Sequence, residues 1–301
     1  MKELDLVYSD NYLKYDLGAD NPISRTKTGE FFQKLKNQSE IKYRIHEAPK
    51  ATDQDILLAH TPGYLSEVKW SARNRIELDP DTPVDENTLE GSYYIIGGTI
   101  SCLNMALDGK KVVNVIGGMH HSGSSKGAGF CVFNDHAIAI KKLQSEGKIK
   151  SATVIDVDVH AGNGTQEIFY RDPNVLTISI HQDPRTQYPG TGFEWETGSE
   201  AGVGMNVNIT LPPGTTEEKY LEALDKGITR AKKQSSDITV LVLGVDTYKE
   251  DGLGNLRLEV ESFKKMGERF KDFKNLAVLF GGGYSRKIPD LWMSFLNGYL
   301  E

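Results

Sequence analysis

Short apolar runs that are rich in β-branched residues recur along the chain, and longer amphipathic stretches separate them. Several of these runs are apolar at consecutive positions, so a strand formed by them must be covered on both faces, as in a parallel sheet that lies between helices. The runs that we predict as strands are residues 4–8, 112–116, 152–157, 175–180, 238–245 and 276–280.

The stretches between these runs have helical periodicity. We predict helices at residues 26–37, 86–107, 135–146, 217–233, 259–271 and 288–300. Strands that alternate with helices indicate an α/β protein in which a mostly parallel sheet forms the centre of a three-layer α/β/α sandwich. Because the chain contains no internal repeat, low-complexity tract or clear linker, we predict that residues 1–301 form a single domain.

Polar side chains that could take part in catalysis or metal binding follow four of the predicted strands. Open parallel sheets bind their ligands at the carboxyl ends of the strands, so these side chains are expected to meet in one cleft. In chain order they are His120 and His121, Asp158 and His160, Asp246, and Tyr284.

A candidate metal site lies in the segment 154–160, where Asp156, Asp158 and His160 occupy alternate positions. A buried carboxylate is costly unless it is paired, hydrogen-bonded or bound to a metal. Asp158 and His160 offer oxygen and nitrogen ligands that suit zinc or a related divalent ion, and Asp246 is the natural third ligand. The alternative is structural: the two aspartates cap the next turn and His160 is a core histidine. The polar groups at the other strand ends favour the metal site.

The tandem histidines and the tyrosine also have two interpretations each. Beside a metal, His120 and His121 could be ligands or proton-transfer groups, and with three ligands already assigned we prefer proton transfer. Tyr284 follows three glycines and could donate a hydrogen bond to a developing oxyanion. The structural alternatives are two polar loop histidines and an aromatic ring packed on a turn.

Composition narrows the functional class. The chain has 301 residues, 38% hydrophobic and 26% charged, with a formal net charge of −7. This acidic balance argues against direct nucleic-acid binding, which needs clustered lysine and arginine. The two cysteines, Cys102 and Cys131, do not suggest a disulfide framework. We find no signal-peptide pattern and no run of membrane-spanning length, so we expect a cytoplasmic protein with no membrane partner.

The ordered motifs resemble those of the zinc-dependent histone deacetylase superfamily, which includes acetylpolyamine and acetoin-associated deacetylases. Nearly the whole chain takes part, and its compact length is closest to the prokaryotic and class IV-like branches. The resemblance implies the arginase/deacetylase fold with a sheet of about eight strands. The motifs are Gly117-Gly-x-His-His121, Gly129-Phe-Cys-x-x-Asn-Asp135, Asp156-x-Asp-x-His160-x-Gly-Asn-Gly164, Tyr188-Pro-Gly-Thr-Gly192, Gly244-x-Asp246, Asp251-x-Leu-Gly254 and Gly281-Gly-Gly-Tyr284.

The resemblance also implies roles for the residues of the cleft. Zinc, or alternatively ferrous iron, would be the catalytic metal. His121 would be the general base and then the general acid, with Asn163 in the place of a supporting carboxylate found in some branches. His120 would be an electrostatic partner bonded to Asp156, and Tyr284 would stabilise the oxyanion. The metal ligands implied are Asp158, His160 and Asp246.

The family resemblance also implies roles for residues further from the predicted metal site. Gly129, Phe130 and Tyr188 resemble the walls of a tunnel for an acyl-lysine stem, with Leu253 near the rim and Asp81 as a rim aspartate. Structural potassium ions are implied at an inner site and an outer site. The residues are Asp156, Asp158, His160, Ser179 and Ile180 for the inner site, and Phe169, Asp172 and Val175 for the outer one.

Three positions bear on how closely the chain follows the family. Ala161 replaces the histidine or glutamine commonly found after the ligand histidine, and Asn21-Pro22 replaces a His-Pro pair. Arg25 matches a buried arginine of the family's internal channel.

The leading functional hypothesis is a deacetylase of acyl-lysine in proteins or peptides. Hydrolysis of acetylpolyamines or other small acylated amines is the second, although Leu253 stands where polyamine-selective relatives can place a carboxylate. A non-catalytic acyl-lysine binding protein is the third. A two-metal site of the arginase type would need further carboxylates, and Val159 and Thr247 do not supply them. The oligomeric state is left open.

Overall fold

A computed structural model describes residues 2–18 and 27–301 of the chain. Its centre is an eight-stranded sheet in which every neighbouring pair of strands is parallel. The strands are β1 (Lys2–Tyr8), β2 (Ile41–Glu47), β3 (Val112–Asn114), β4 (Ala152–Asp156), β5 (Val175–Gln182), β6 (Asn206–Leu211), β7 (Ile238–Leu243) and β8 (Leu276–Phe280). Their order across the sheet is β2-β1-β3-β8-β7-β4-β5-β6.

Helices cover both faces of this sheet. They are α1 (Lys27–Lys36), α2 (Asp53–Ile56), α3 (Pro62–Asn74), α4 (Glu86–Leu107), α5 (Asp135–Ser145), α6 (Asn163–Phe169), α7 (Glu217–Gln234), α8 (Val260–Phe270) and α9 (Ile288–Tyr299). Two short 3-10 helices lie at Asp10–Lys14 and Glu200–Gly202. The three-layer α/β/α sandwich predicted from the sequence is confirmed, and the sheet is entirely parallel.

Alternate residues of the strands feed two separate cores. In β7, Leu241 joins the core that contains side chains of α1, α7, α8 and α9, whereas Val240 joins the core formed with α4 and α5. All six residues of β7 are buried, as a central strand covered on both faces requires. The consecutive apolar run that we read in the sequence follows from this arrangement.

The two edge strands, β2 and β6, were not predicted. In β2, most side chains are exposed or half-buried, and β6 contains Asn206 and Asn208 at buried positions. An edge strand is apolar only in part, so it lacks the continuous apolar run by which the central strands were found.

The carboxyl ends of β3, β8, β7, β4 and β5 are neighbours in the sheet. The register places Asp156, the last residue of β4, beside Ser179 of β5 and Val242 of β7. The polar segments that follow these strands therefore begin at the same edge of the sheet. None of the helices that the structure describes is both long enough and apolar enough to cross a membrane. Cys102 and Cys131 are buried and unbridged.

Candidate active site

Asp158, His160 and Asp246 come together just beyond the ends of β4 and β7. Each offers a ligand atom, and these atoms all lie within 4.8 Å of one another. The Nδ1 atom of His160 lies 2.9 Å from Oδ1 of Asp158 and 3.1 Å from Oδ2 of Asp246. All three side chains are buried.

Aspartate side chains determine where β4 ends. Asp156 Oδ1 accepts the N–H of Asp158 at 3.1 Å, and Asp158 Oδ1 accepts the N–H of His160 at 2.9 Å. A carboxylate that bonds the backbone two residues further on favours a turn over a strand. The aspartates therefore cap the turn, as the structural alternative held, and the same turn gathers the candidate ligands.

The electrostatics of this group fit a divalent cation. Burial and the neighbouring charge of Asp158 raise the pKa of Asp246 to about 8. Two buried carboxylates this close can both ionise only when a positive charge lies between them. Two carboxylates and one imidazole, with no sulfur ligand, are the donor set of a site for zinc, iron or a related ion.

A glycine lets the loop after β8 approach this group. A Cβ atom built on Gly282 would lie 2.3 Å from Oδ2 of Asp158 and 3.1 Å from Oδ2 of Asp246. Any side chain at this position would displace the carboxylates, so glycine at position 282 has a steric cause.

His120 carries a positive charge beside the group. Its Nδ1 lies 2.6 Å from Oδ2 of Asp156. Burial opposes protonation, but the carboxylates of Asp156 and Asp158 outweigh it and raise the pKa of His120 to about 9. This histidine therefore donates to Asp156 and is a fixed cation at neutral pH.

His121 is neutral, and its tautomer is determined by Asn163. The Nδ1 atom lies 2.7 Å from Oδ1 of Asn163. Because an amide oxygen only accepts, Nδ1 carries the proton and Nε2 keeps a free lone pair. Burial and the charges of His120 and His160 hold the pKa of His121 well below its usual value. The two adjacent histidines thus differ in charge.

Tyr284 is held by Asp251, to which the sequence analysis gave no role. Oδ2 of Asp251 accepts the backbone N–H of Tyr284 at 2.8 Å and that of Ser285 at 3.1 Å. Burial and the charges of Asp246 and Asp158 raise the pKa of Tyr284 well above its usual value. The phenol therefore stays protonated and can donate.

Aromatic side chains form walls above these residues. The ring of Tyr188 is 5.0 Å from that of His121, and the ring of Phe130 is 5.9 Å from that of Tyr284. Gly129 has a φ of +56°, and a Cβ atom there would lie 2.4 Å from Cδ2 of His121. Only glycine lets the wall come this close to the histidine.

The rim is formed by more exposed residues. Leu253 is 37% and Tyr188 is 43% exposed, and the carbonyl of Leu253 accepts from Nε2 of Gln187 at 2.6 Å. Asp81 accepts from the hydroxyl of Thr82 at 3.0 Å, and that hydroxyl accepts the N–H of Phe130 at 3.1 Å. The structure therefore brings the predicted tunnel residues to one opening.

Comparison with known proteins identifies the family. The model of the histone deacetylase domain matches residues 21–298. The chain belongs to the histone deacetylase family.

Two curated relatives of this histone deacetylase homologue come from a bacterium and an archaeon. It is 28% identical to the acetoin utilization protein AcuC of Bacillus subtilis over 97% of this chain and 81% of that protein. It is 31% identical to a probable deacetylase of Archaeoglobus fulgidus over 92% of this chain and 80% of that protein. Membership of this family indicates that the chain is a hydrolase of the deacetylase type.

Solved structures have the same fold. A histone deacetylase homologue from Aquifex aeolicus superposes with a TM-score of 0.87 at 28% identity, covering 100% of this chain and 85% of that one. An acetylpolyamine aminohydrolase from Burkholderia pseudomallei has a TM-score of 0.86 at 22% identity, with 98% of each chain covered, and supports the fold alone. The arginase/deacetylase fold expected from the motifs is confirmed.

The residues expected around potassium ions lie on and between β4 and β5. At the inner group, Oγ of Ser179 accepts the N–H of Gly162 at 3.3 Å and lies 2.8 Å from Nδ1 of His181. Ile180 follows Ser179 in β5 and is buried. This inner group shares Asp156, Asp158 and His160 with the active site.

At the outer group, Phe169 ends α6 and Val175 begins β5. Nζ of Lys141 donates to Asp172 at 2.7 Å and lies 5.1 Å from the centroid of the Phe169 ring. A lysine cation therefore already neutralises the Asp172 side chain.

The two departures from the family pattern and the matching Arg25 have different outcomes. Arg25 and the Asn21-Pro22 pair lie outside the described residues. Ala161 is buried, and a Cβ atom on Gly192 would lie 2.6 Å from its own Cβ, so a small residue here lets the 188–192 loop pack closely.

Sequence reasoning did not single out Lys27 or His181. His181 accepts from Ser179 and donates to the carbonyl of Gly192 at 2.8 Å, which connects β5 to the loop that carries Tyr188. Ser179 and His181 alternate on one face of β5, a pattern that could have indicated a polar network.

Proposed function

We propose that the protein is a metal-dependent deacylase that removes acyl groups, acetyl among them, from the ε-amine of lysine in proteins or peptides. The observation that carries this proposal is the buried group of Asp158, His160 and Asp246, which lies beside a neutral histidine, a cationic histidine and a protonated tyrosine. Hydrolysis of an amide requires a base, an electrophile, an oxyanion donor and an acid for the leaving amine.

Zinc is the metal that we propose, with ferrous iron as an alternative, since both accept one nitrogen and two oxygen ligands. Held by Asp158, His160 and Asp246, such an ion would polarise the acyl carbonyl and make water a better nucleophile. We also propose structural potassium at the inner and outer groups beside β5.

His121 is the group that moves the proton. Its Nε2 lone pair is free because Nδ1–H is held by Asn163, so Nε2 takes the proton from the attacking water. It then gives that proton to the lysine amine as the amide C–N bond breaks. His120, kept cationic by Asp156, stabilises negative charge during the attack.

Tyr284 donates its phenolic proton to the carbonyl oxygen as charge develops there. Its backbone is anchored by Asp251, so the hydroxyl needs little reorganisation when the reaction occurs. Gly129, Phe130 and Tyr188 surround the methylene stem of the lysine and keep water from it.

A panel of acyl-lysine peptides tests this proposal. The purified protein is loaded in turn with zinc or ferrous iron, its metal content is measured, and release of the acyl group is followed. Folded, metal-loaded protein that releases no acyl group from any peptide would contradict the proposal. Peptide binding without turnover would instead favour a non-catalytic acyl-lysine reader.

Hydrolysis of acetylpolyamines is a second candidate because the rim carries acidic charge. Asp79 and Asp81 are two positions apart, and the N–H of Asp81 donates to Oδ1 of Asp79 at 3.2 Å. The charges of both act on the Tyr188 phenol. Leu253, a neutral residue at the same rim, argues for a peptide. Comparing kcat/KM for acetylspermidine and acetylputrescine with that for an acetyl-lysine peptide distinguishes the two.

A further inference from the structure

A cavity extends from the active site into the protein. It is lined at one end by His120, His121, Asp158 and Tyr284, and it reaches the beginning of α1 at Lys27 and Thr28. An acyl-lysine whose stem lies between Phe130 and Tyr188 has its carbonyl at these four site residues. Whatever the acyl group carries beyond the carbonyl carbon must therefore enter this cavity.

The cavity has room for more than a single water molecule. Its free volume, which includes the space beside the site residues, is about 100 Å³, whereas one water molecule needs roughly 10–15 Å³. The walls away from the site are largely apolar, with Leu13, Leu17, Ile116 and Phe280 among them.

Two tyrosine hydroxyl groups of the cavity wall are already bonded. Tyr12 donates to Oδ1 of Asn114, and Tyr15 donates to the carbonyl of Phe130, each at 2.7 Å. The Asp16 carboxylate accepts the N–H of Gly18 at 2.9 Å. These groups therefore stabilise the wall itself.

Lys27 differs from these wall residues. Among the described residues it makes no hydrogen bond or ion pair, although it is only 9% exposed. Its Nζ lies 5.5 Å from the centroid of the Trp292 ring, and that ring stacks on Phe280 of the cavity wall at 4.5 Å. Lys27 is itself one of the residues that line the cavity.

A buried ammonium with no partner among the described residues calls for an anion. Burying an ion without a partner is costly, and a carboxylate partner relieves much of that cost. Burial lowers the pKa of Lys27 to about 8, while the charges of Asp251 and Asp246 act in the opposite direction. The amine is therefore still mostly protonated at neutral pH.

Resting on the proposed function, we propose that Lys27 makes the enzyme a deacylase for lysines that carry a dicarboxylic acyl group, such as succinyl-lysine, whose free carboxylate pairs with the Lys27 ammonium in the cavity. The reaction is the same hydrolysis. The amide C–N bond breaks, water supplies hydroxide to the acyl carbon and a proton to the lysine amine, and the diacid leaves.

The test compares succinyl-lysine with succinamoyl-lysine in one peptide sequence, because the second acyl group has the same shape but an amide in place of the carboxylate. Acetyl-lysine is included, and malonyl-lysine and glutaryl-lysine determine the preferred length. We expect kcat/KM for at least one diacid to exceed that for its uncharged amide by about 30-fold or more, the usual effect of a buried charge pair.

Lys27→Met should remove this preference while acetyl-lysine turnover and metal content stay close to those of the wild type, and Lys27→Arg should keep the preference. Lys34→Met is the matched control, since Lys34 is on the same helix but is half-exposed and pairs with Asp290 at 2.6 Å. Binding of fluorescent succinyl and succinamoyl peptides to a Tyr284→Phe background, measured by anisotropy, gives a readout independent of turnover.

Other outcomes overturn the inference. Acetyl-lysine turnover without a preference for any diacid would refute it and leave the proposed function intact. Equal loss of acetyl and succinyl turnover in Lys27→Met, together with metal loss, would make Lys27 a counter-ion for the buried aspartates. Absence of turnover on every peptide, acetyl-lysine included, would refute the proposed function as well.

Discussion

The floor and the rim of the active site are built differently. At the floor, Asp158, His160 and Asp246 are at most 6% exposed, whereas Tyr188 and Leu253 at the rim are 43% and 37% exposed. The floor follows directly from strands inside the sheet, and the rim consists of loops beyond it. On the proposed function, the floor would carry out the reaction and the rim would contact the part of the substrate outside the tunnel.

Hydrogen bonds account for much of this difference. Each floor carboxylate accepts a backbone N–H: Asp158 accepts that of His160 in its own turn at 2.9 Å, and Asp246 accepts that of Val159 from the neighbouring segment at 2.8 Å. At the rim, the contact between Gln187 and the Leu253 carbonyl is exposed. A change at the floor should therefore affect all substrates, and a change at the rim should affect some more than others.

Asp246→Ala tests the floor most severely. It removes one of three candidate ligands, and we expect metal loss and a fall in activity beyond about 1000-fold, since supporting residues alone commonly contribute about 10- to 100-fold. Metal content by emission spectroscopy and kcat/KM on an acetyl-lysine peptide measure the effect. Asp272→Ala, at an exposed aspartate before β8, should change neither. Full metal occupancy in Asp246→Ala would refute the ligand assignment.

Tyr284→Phe separates the catalytic step from metal binding at the floor of the site. Loss of one oxyanion donor should lower kcat by about 100- to 1000-fold while the metal content is unchanged. Tyr43→Phe, on the edge strand β2, is the control and should keep wild-type kcat. Metal loss in Tyr284→Phe equal to that in Asp246→Ala would show that the phenol supports the metal group and not the oxyanion.

The sequence predicted the floor well because its residues follow recognisable strands. The apolar run before Asp246 and the glycine at position 282 before Tyr284 are local features with direct structural causes, a strand covered on both faces and a close backbone approach. Periodicity and strand-end chemistry were therefore sufficient to place Asp158, His160 and Asp246 together.

What the sequence could not predict depends on long-range packing. No local pattern shows that Asp251 bonds the backbone of Tyr284, 33 positions away, or that Lys27 reaches the cavity behind the site. The edge strands β2 and β6 were missed for a related reason, because their one-sided burial depends on where they lie in the sheet. The different charges of His120 and His121 also arise from partners that only the fold supplies.

Asn163→Ala tests whether Asn163 orients the base, His121. Without the amide oxygen, the proton of His121 is no longer held on Nδ1, and we expect kcat to fall by about 10- to 100-fold with little change in KM. Asn163→Asp keeps an acceptor in the same place and should recover much of the loss. A KM effect of equal size in both variants would mean that Asn163 shapes the substrate site and does not orient the base.

Leu253→Glu should have the smallest effect, and it tests the rim directly. A carboxylate there joins the charges of Asp79 and Asp81 near Tyr188 and attracts a second amine on a small substrate. Exposed ion pairs are weak, so we expect the ratio of kcat/KM for acetylspermidine to that for a neutral acetyl-lysine peptide to rise by up to about 5-fold. Leu253→Gln is the matched uncharged control, and raising the salt concentration should diminish the gain. If Leu253→Glu lowered turnover of both substrates equally, the rim would belong to the catalytic floor, and the division between reaction and selectivity would be wrong.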